Sequence, residues 1–202
     1  MTAPRRIFFA LWPEPEVAGR LHALSAVAHA ACGGRRMQRD TLHLTLAFLG
    51  EVDATRFDLA CAIADEVAAG GGIAADEGRG EVLRIDRLAF WKHNHIVWAG
   101  CDEVPPALAA LADALAVALR GGGFALDSRR FAAHVTLLRN ARCAGEMAPI
   151  EAFDWPVRDF VLVQSQLGPG GAKYEVVRRW AVPSRTTPPQ GAASDLRERG
   201  GA

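Results

Sequence analysis

The sequence predicts an α+β fold built from two related strand–helix–strand units. The same order of elements occurs twice, each time as an apolar strand, an amphipathic helix ended by glycines and a second strand. Matching residues of the two units are 91 positions apart, as in the pairs Pro15 and Pro106, and His43 and His134. Matching element order at a constant offset indicates an internal duplication. We therefore predict a bilobal fold whose two lobes are related by a pseudo-two-fold axis.

The first unit begins with a strand at 6–12, which is short, apolar and ended by prolines. A helix follows, because Val17, Leu21 and Leu24 recur at helical spacing before the glycines at 33–34. The alternating segment 41–49 is the second strand. Asp53 is a suitable N-cap for a further helix that ends at the glycines of 70–72.

The second unit begins with two strands at 82–90 and 96–100, which a polar turn at 92–95 joins into a hairpin. The next helix follows Pro106 and ends at 121–123, and a strand covers 131–139. Strands at 157–165 and 174–180 complete the fold. We expect residues 1–182 to form a single bilobal domain and residues 183–202, which have almost no large apolar side chain, to be a disordered tail.

Composition excludes several classes of protein. The 202 residues include 23 Lys and Arg and 23 Asp and Glu, so the chain lacks the basic excess of a dedicated duplex-binding protein. No apolar run reaches the roughly 18 residues of a membrane span, and the amino-terminal apolar stretch is too short for a secretory signal. We therefore expect a cytoplasmic protein without membrane contact. Because the four cysteines have no paired spacing, we expect four reduced thiols, at Cys32, Cys61, Cys101 and Cys143.

Two His-x-Thr motifs, at 43–45 and 134–136, contain the candidate catalytic residues. Side chains two positions apart in a strand lie on one face, so each motif presents an imidazole and a hydroxyl together. His43 and His134 can flank one bound phosphate, one accepting a proton and the other donating one. The hydroxyls of Thr45 and Thr136 can hold its non-bridging oxygens. Arg139 could add positive charge, although a regular strand would place it on the opposite face from Thr136.

The residues around these motifs closely resemble those of the two-histidine (2H) phosphoesterases. The similarity covers nearly all of residues 5–182 and is carried by 8–11 (FFAL), 42–50 (LHLTLAFLG), 134–139 (HVTLLR) and 165–174 (SQLGPGGAKY). Within that superfamily the sequence is similar to the bacterial RNA 2′,3′-cyclic phosphodiesterases, which are also described as 2′-5′ RNA ligases. Two positions depart from the family pattern: Ala133 stands where a proline is usual, and Met37 where a tryptophan is common.

The resemblance implies two antiparallel sheets that line a central cleft, with the helices outside. It also implies that a terminal 2′,3′-cyclic phosphate of RNA is opened to a 2′-phosphate without a metal ion or cofactor. In that reaction His43 is the general acid that expels the ribose O3′, and His134 is the base that activates water. The reverse reaction at the same site would form a 2′-5′ linkage.

The resemblance further implies roles for four other residues and for the partners. Thr45, Thr136 and Arg139 would hold the phosphate, and Phe48 would pack on the terminal base. The expected partners are RNA ends with a 2′,3′-cyclic phosphate, tRNA-like fragments among them, bound by a monomeric enzyme.

Three alternatives remain open. The protein is a module that binds RNA ends with little chemistry, or a phosphodiesterase for 2′-5′ oligonucleotides or a small cyclic nucleotide. The least favoured alternative is a metal-dependent hydrolase built on His93 and His95, because these histidines lie in a predicted turn with no carboxylate or cysteine beside them.

Overall fold

The computed structural model describes residues 4–70, 81–168 and 171–182. The predicted tail at 183–202 lies outside this part of the chain. Three α-helices are described, α1 (Pro15–Cys32), α2 (Ala54–Ala69) and α3 (Pro106–Gly121), and a 3-10 turn covers Arg39–Thr41. The strands, in chain order, are β1 (Arg5–Leu11), β2 (Arg35–Arg36), β3 (Leu44–Val52), β4 (Glu81–Ile85), β5 (Arg87–Trp91), β6 (Ile96–Gly100), β7 (His134–Arg139), β8 (Phe153–Val157), β9 (Asp159–Gly168) and β10 (Gly171–Ala181).

The strands form two antiparallel sheets. The larger sheet has the order β10-β9-β1-β3-β7-β6-β5, with β2 added to β7, and the smaller consists of β4 and β8. Strands β3 and β7 meet through one residue pair, Leu44 opposite Val135. The larger sheet therefore consists of a first strand group (β10, β9, β1 and β3) and a second strand group (β7, β6, β5 and β2) joined at one point. This arrangement confirms the predicted α+β fold with antiparallel sheets.

The helices cover one face of the larger sheet, and each inner strand packs on the helix of the other unit. Helix α1 packs against β7, and α3 packs against β3. The side chains of Leu44 and Val135 are fully buried in the main core beneath the sheet. Since alternate residues point to opposite faces, the motif residues that flank them point away from the helices. The same alternation leaves a small apolar cluster on that outer face of the first strand group, made of Phe8, Ala10, Val161 and Val163.

The predicted strand at 82–90 is wrong as a single element. Asp86 breaks it, because its N–H donates to the Gly100 carbonyl and its carboxylate accepts from the Asp102 N–H, at 3.0 and 2.9 Å. Strand β4 consequently leaves the larger sheet and pairs with β8, while β5 forms the predicted hairpin with β6. The predicted N-cap of α2 is confirmed, since the Asp53 carboxylate accepts from the Arg56 N–H at 2.8 Å.

The expectation of four reduced thiols is wrong for two of them. Cys32, the last residue of α1, forms a disulfide with Cys143, which follows β7. The Arg142 N–H donates to the Cys32 carbonyl at 2.9 Å and brings the two chain segments together. The partners are 111 residues apart, so no local spacing marks them as a pair. Cys61 and Cys101 are buried free thiols.

Among the described residues, no helix has the length and apolar character that crossing a membrane requires.

Candidate active site

The two His-x-Thr motifs lie where the strand groups meet. The antiparallel pair of Leu44 and Val135 sets the register of both motifs. In this register His43 faces Thr136 and Thr45 faces His134 across the junction. Side chains opposite one another in antiparallel strands share a face, so all four line the cleft. The two imidazoles therefore occupy one diagonal of a four-residue array and the two hydroxyls occupy the other.

The backbone orients both imidazoles in the same way. The Nδ1 of His43 donates to the Thr41 carbonyl and the Nδ1 of His134 to the Ala132 carbonyl, each at 2.8 Å. A carbonyl oxygen can only accept, so each Nδ1 carries a proton. Each Nε2 is then the atom that gains or loses a proton during a reaction. In both cases the accepting carbonyl belongs to the residue two positions before the histidine, in the segment that leads into β3 or β7.

Both histidines are less basic than a histidine in water. Burial lowers the pKa of His43 from 6.5 to about 4, and the charges of His134 and Arg139 act in the same direction. Burial also lowers the pKa of His134, and the charges of Arg129 and Arg139 contribute. The free enzyme therefore keeps both imidazoles mainly neutral near neutral pH. A bound anion raises both pKa values, because it stabilises the imidazolium form.

Aromatic rings surround His43 on the side of the first strand group. Its ring centroid is 4.7 Å from that of Phe8, 5.6 Å from that of Trp12 and 5.2 Å from that of Tyr174. The rings of Trp12 and His43 are parallel within 3°, whereas the Tyr174 ring meets His43 edge-on. These rings account for the burial that lowers the pKa of His43. They also restrict the rotation of the imidazole about its side-chain bonds.

A tryptophan pair has the corresponding position beside His134. The ring centroid of His134 is 4.6 Å from that of Trp91 and 6.3 Å from that of Trp98. Trp91 also lines the cleft. The sequence pattern marks neither these rings nor those around His43 as part of the site. Alternation along β1 places Phe8 and Trp12 on one face, but nothing in the sequence shows that Tyr174 joins them.

One extra residue in β7 places Arg139 in the cleft. Thr136 pairs with Trp98, whereas Leu138 pairs with Val97, so Leu137 is a bulge. A bulge reverses the alternation of the residues that follow it. Arg139 therefore shares the cleft face with the motif instead of lying opposite to it, as a regular strand would require.

The same bulge occurs at the matching position of β3. Thr45 pairs with Ala10 and Ala47 with Phe9, which leaves Leu46 as the extra residue. Phe48 then lies on the cleft face, as Arg139 does in the other unit. Its side chain is 45 % exposed, and the Arg6 guanidinium lies over the ring at 4.9 Å from the centroid. The duplicated bulge thus supplies an aromatic ring on one side of the array and a cation on the other.

The cleft is wide and positively charged. It encloses about 1200 Å³, and its lining includes six arginines but only two aspartates. In a chain of zero net charge, this uneven distribution favours an anionic ligand. His93 lines the rim of the cleft, and no group of three or more His, Cys, Asp or Glu side chains in the described residues is arranged to hold a metal ion.

Comparisons with known proteins agree with this geometry. The family described as LigT like Phosphoesterase matches residues 11–77. An Escherichia coli protein named RNA 2′,3′-cyclic phosphodiesterase is 32 % identical over 184 residues, which are 90 % of this chain and 99 % of that protein. A Thermus thermophilus protein of the same name is 26 % identical over 190 residues, 88 % of this chain and 90 % of that protein.

Solved structures give the same result. The crystal structure of E. coli LigT in complex with 3′-AMP superposes with a TM-score of 0.74 at 32 % identity, over 89 % of this chain and 98 % of that one. Identity at this level over nearly the full length of both chains reflects common ancestry rather than a shared architecture alone. The chain therefore belongs to the LigT-like phosphoesterases of the 2H superfamily.

Proposed function

We propose that this protein hydrolyses terminal 2′,3′-cyclic phosphates of RNA to 2′-phosphates, with His43 and His134 as the acid and the base. The observation that carries the proposal is the crossed array, in which the imidazoles occupy one diagonal and the threonine hydroxyls the other. The names of the E. coli and T. thermophilus relatives support the substrate class. The positive cleft supports an anionic substrate.

The crossed array fits in-line displacement at phosphorus. The attacking oxygen and the leaving oxygen lie on opposite sides of phosphorus in the transition state, and the two imidazoles can each reach one of them. The two non-bridging oxygens lie near the perpendicular plane, within reach of the hydroxyls of Thr45 and Thr136. Hydrogen bonds placed where charge develops stabilise the transition state more than the ground state. The arrangement therefore offers one protein group to each of four oxygens on phosphorus: the attacking oxygen, the leaving oxygen and the two non-bridging oxygens.

The proton balance follows from the two Nε2 atoms. The Nε2 of neutral His134 takes a proton from water, whose oxygen bonds to phosphorus. The bond from phosphorus to O3′ breaks, and the Nε2 of protonated His43 gives its proton to that oxygen. The product carries a 2′-phosphate and a 3′-hydroxyl. If the 5′-hydroxyl of a second RNA takes the place of water, it gives its proton to His134 and bonds to phosphorus as the bond to O3′ breaks, and the product is a 2′-5′ linkage.

Two features of the cleft suit an RNA end. Its volume of about 1200 Å³ exceeds the ~300–1,000 Å³ of most small-molecule pockets. The exposed ring of Phe48 can stack on the terminal base, and the neighbouring Arg6 offers a second flat surface. We propose that the enzyme acts as a monomer in the cytoplasm on such ends, tRNA-like fragments among them.

Product analysis tests the proposal. Purified protein with excess chelator is incubated with a short RNA that ends in a 2′,3′-cyclic phosphate, and the position of the product phosphate is determined by NMR or by enzymatic digestion. We expect a 2′-phosphate at a rate that the chelator does not change. A 3′-phosphate product would show that the ribose O2′ leaves instead of the proposed O3′. RNA that is bound but not hydrolysed would favour a binding module. Activity that is confined to 2′-5′ oligonucleotides or small cyclic nucleotides would identify those compounds as the substrates instead.

The pH dependence of kcat/KM should have its maximum on the acid side of 6.5. The reaction needs one protonated and one neutral imidazole, and burial lowers the pKa of both in the free enzyme, that of His43 to about 4. Above both pKa values the protonated fraction of the acid falls about tenfold per pH unit, so kcat/KM falls with it. Below both values the base is protonated, and kcat/KM falls again.

The profile of kcat distinguishes this explanation from a general effect of acid. The anionic substrate raises both pKa values in the complex, so the alkaline limb of kcat should lie at higher pH than that of kcat/KM. Steady-state rates from about pH 4 to 9 in buffers of constant ionic strength give both profiles. A kcat/KM that rises to an alkaline plateau would contradict paired histidines.

A further inference from the structure

Strand β2 consists of two arginines that point to opposite faces. Arg36 points toward α1, where its Nε donates to the Ser25 hydroxyl at 3.0 Å and its Nη2 donates to the His22 carbonyl at 3.0 Å. The same Nη2 is 3.1 Å from the His22 ring nitrogen Nε2. Ser25 is completely buried, so these contacts fix Arg36 to the interior. Alternation along the strand then directs Arg35 to the other face, which is the cleft.

Arg35 lies directly opposite Arg139. The two residues are paired in the antiparallel ladder between β2 and β7, and both line the cleft. Their Cα atoms are then separated by roughly 4.5–5.5 Å, the usual spacing of such a pair. Like charges in this position destabilise a sheet. Within residues 4–70, 81–168 and 171–182, neither guanidinium has a hydrogen bond or an ion pair that would compensate for the repulsion.

Anionic groups bound beside the two side chains compensate for this repulsion. A guanidinium presents a planar set of N–H donors that matches the oxygens of a phosphate, and both donor sets are free in the described structure. Both arginines are exposed, so their long side chains can adjust to a ligand. The rigid part of the arrangement is the backbone, which the contacts of Arg36 hold in place.

The two arginines belong to different strands: Arg139 ends β7, the strand that carries His134 and Thr136, whereas Arg35 lies on β2, which pairs with β7 only at Arg139 and Leu138. The charge of Arg139 lowers the pKa of both His43 and His134, whereas Arg35 is not among the charges that act on either. Arg139 is thus close to the reacting phosphate, and Arg35 extends the positive surface away from it. In a polynucleotide, the phosphate nearest to the terminal cyclic phosphate is the one on the 5′ side of the same nucleotide.

We propose that Arg35 binds the 5′ phosphate of the nucleotide whose 2′,3′-cyclic phosphate reacts at the histidines, while Arg139 contacts the reacting phosphate. The proposal rests on the proposed function for the orientation of the nucleotide. It predicts that this enzyme distinguishes an RNA end from an isolated nucleoside 2′,3′-cyclic phosphate by a charge contact on the sugar's 5′ side. Specificity then depends on a residue outside both motifs.

Binding of two product analogues tests the subsite without any turnover. Calorimetry gives the Kd of adenosine 2′-phosphate and of adenosine 2′,5′-bisphosphate for the wild type and for Arg35→Gln. A charge-assisted hydrogen bond to the added phosphate should make the bisphosphate bind about tenfold more tightly to the wild type. In Arg35→Gln most of this advantage should be lost, and Arg35→Lys should retain part of it.

The matched control is Arg158→Gln, which removes the same charge from an exposed arginine that pairs with Glu14 outside the cleft lining. This variant should keep the bisphosphate advantage of the wild type. An equal loss in both variants would attribute the effect to net charge and overturn the proposal. An advantage that is unchanged in Arg35→Gln would also overturn it, as would equal weakening of both ligands, since Arg35 would then act on a single phosphate.

Turnover separates this proposal from the proposed function. The ratio of kcat/KM for adenosine 2′,3′-cyclic phosphate with and without a 5′-phosphate should fall about tenfold in Arg35→Gln, which is the binding effect expressed in the rate. If neither compound nor RNA is hydrolysed but the Arg35-dependent binding advantage remains, the proposed function fails and the subsite stands. If hydrolysis occurs and the ratio does not change, the subsite fails alone.

Discussion

Replacing either motif histidine with alanine should lower kcat for RNA 2′,3′-cyclic phosphate by about 10²- to 10⁴-fold, the usual contribution of a general acid or base. Each imidazole is held by one Nδ1 contact to a backbone carbonyl and by aromatic neighbours on the cleft side, so its loss removes the proton-transfer group and some packing on the outer face of the sheet. The circular dichroism spectrum should therefore match that of the wild type, and the unfolding should stay cooperative with a somewhat lower midpoint. Single-turnover rates with saturating enzyme measure the chemical step directly.

A substrate with a good leaving group separates the acid from the base. An aryl phosphodiester that releases nitrophenolate needs no proton on its leaving oxygen, whereas the ribose O3′ does. The defect of His43→Ala should accordingly be much smaller on the aryl ester than on the cyclic phosphate, and the defect of His134→Ala should be similar on both. If instead His134→Ala had the smaller defect on the aryl ester, His134 would be the acid and His43 the base. Near wild-type activity of either variant on RNA would refute two-histidine catalysis.

Replacing Arg139 with glutamine should lower kcat by about 10²-fold, as expected when one preorganised donor to a developing negative charge is removed. The bulge at Leu137 places this guanidinium on the cleft face beside the motif. The charge also lowers the pKa of both histidines, so the variant should have its kcat/KM maximum at higher pH than the wild type. The rate and the shift of the profile are measured in the same set of assays.

Arg139→Lys is the matched control for charge. It keeps the positive charge near the histidines but loses the planar donor set, so the pH profile should stay close to that of the wild type while kcat falls. If Arg139→Gln lowered the rate without moving the profile, Arg139 would lie too far from the histidines for the proposed contact. A rate unchanged in both variants would remove Arg139 from the site.

The sequence was sufficient to predict the elements that carry the motifs. Apolar residues alternate with His43 and Thr45, and with His134 and Thr136, and this pattern shows which face each motif occupies. The constant offset of 91 residues indicated that the two motifs belong to equivalent units. Both inferences depend on spacing within one strand, which a sequence shows directly.

The features that the sequence did not reveal depend on contacts between distant segments. A bulge is an extra residue relative to a partner strand, and Leu46 and Leu137 have the apolar character of any buried strand residue. The opposition of Arg35 and Arg139 requires a two-residue strand that only the paired structure defines. Likewise, Tyr174 reaches His43 because β10, β9, β1 and β3 are neighbours in the sheet, although their order in the chain differs.

The bond between Cys32 and Cys143 closes a covalent ring that contains both histidines, since positions 43 and 134 lie within it. The disulfide consequently limits how far the two histidines can separate in the unfolded chain. In the chain-entropy account, closing a ring of about this size lowers the conformational entropy of the unfolded state, which stabilises the folded state by roughly 4 to 5 kcal/mol. None of the proposed catalytic groups undergoes oxidation or reduction, yet the fraction of molecules in which they are assembled depends on the thiol–disulfide balance of the surroundings.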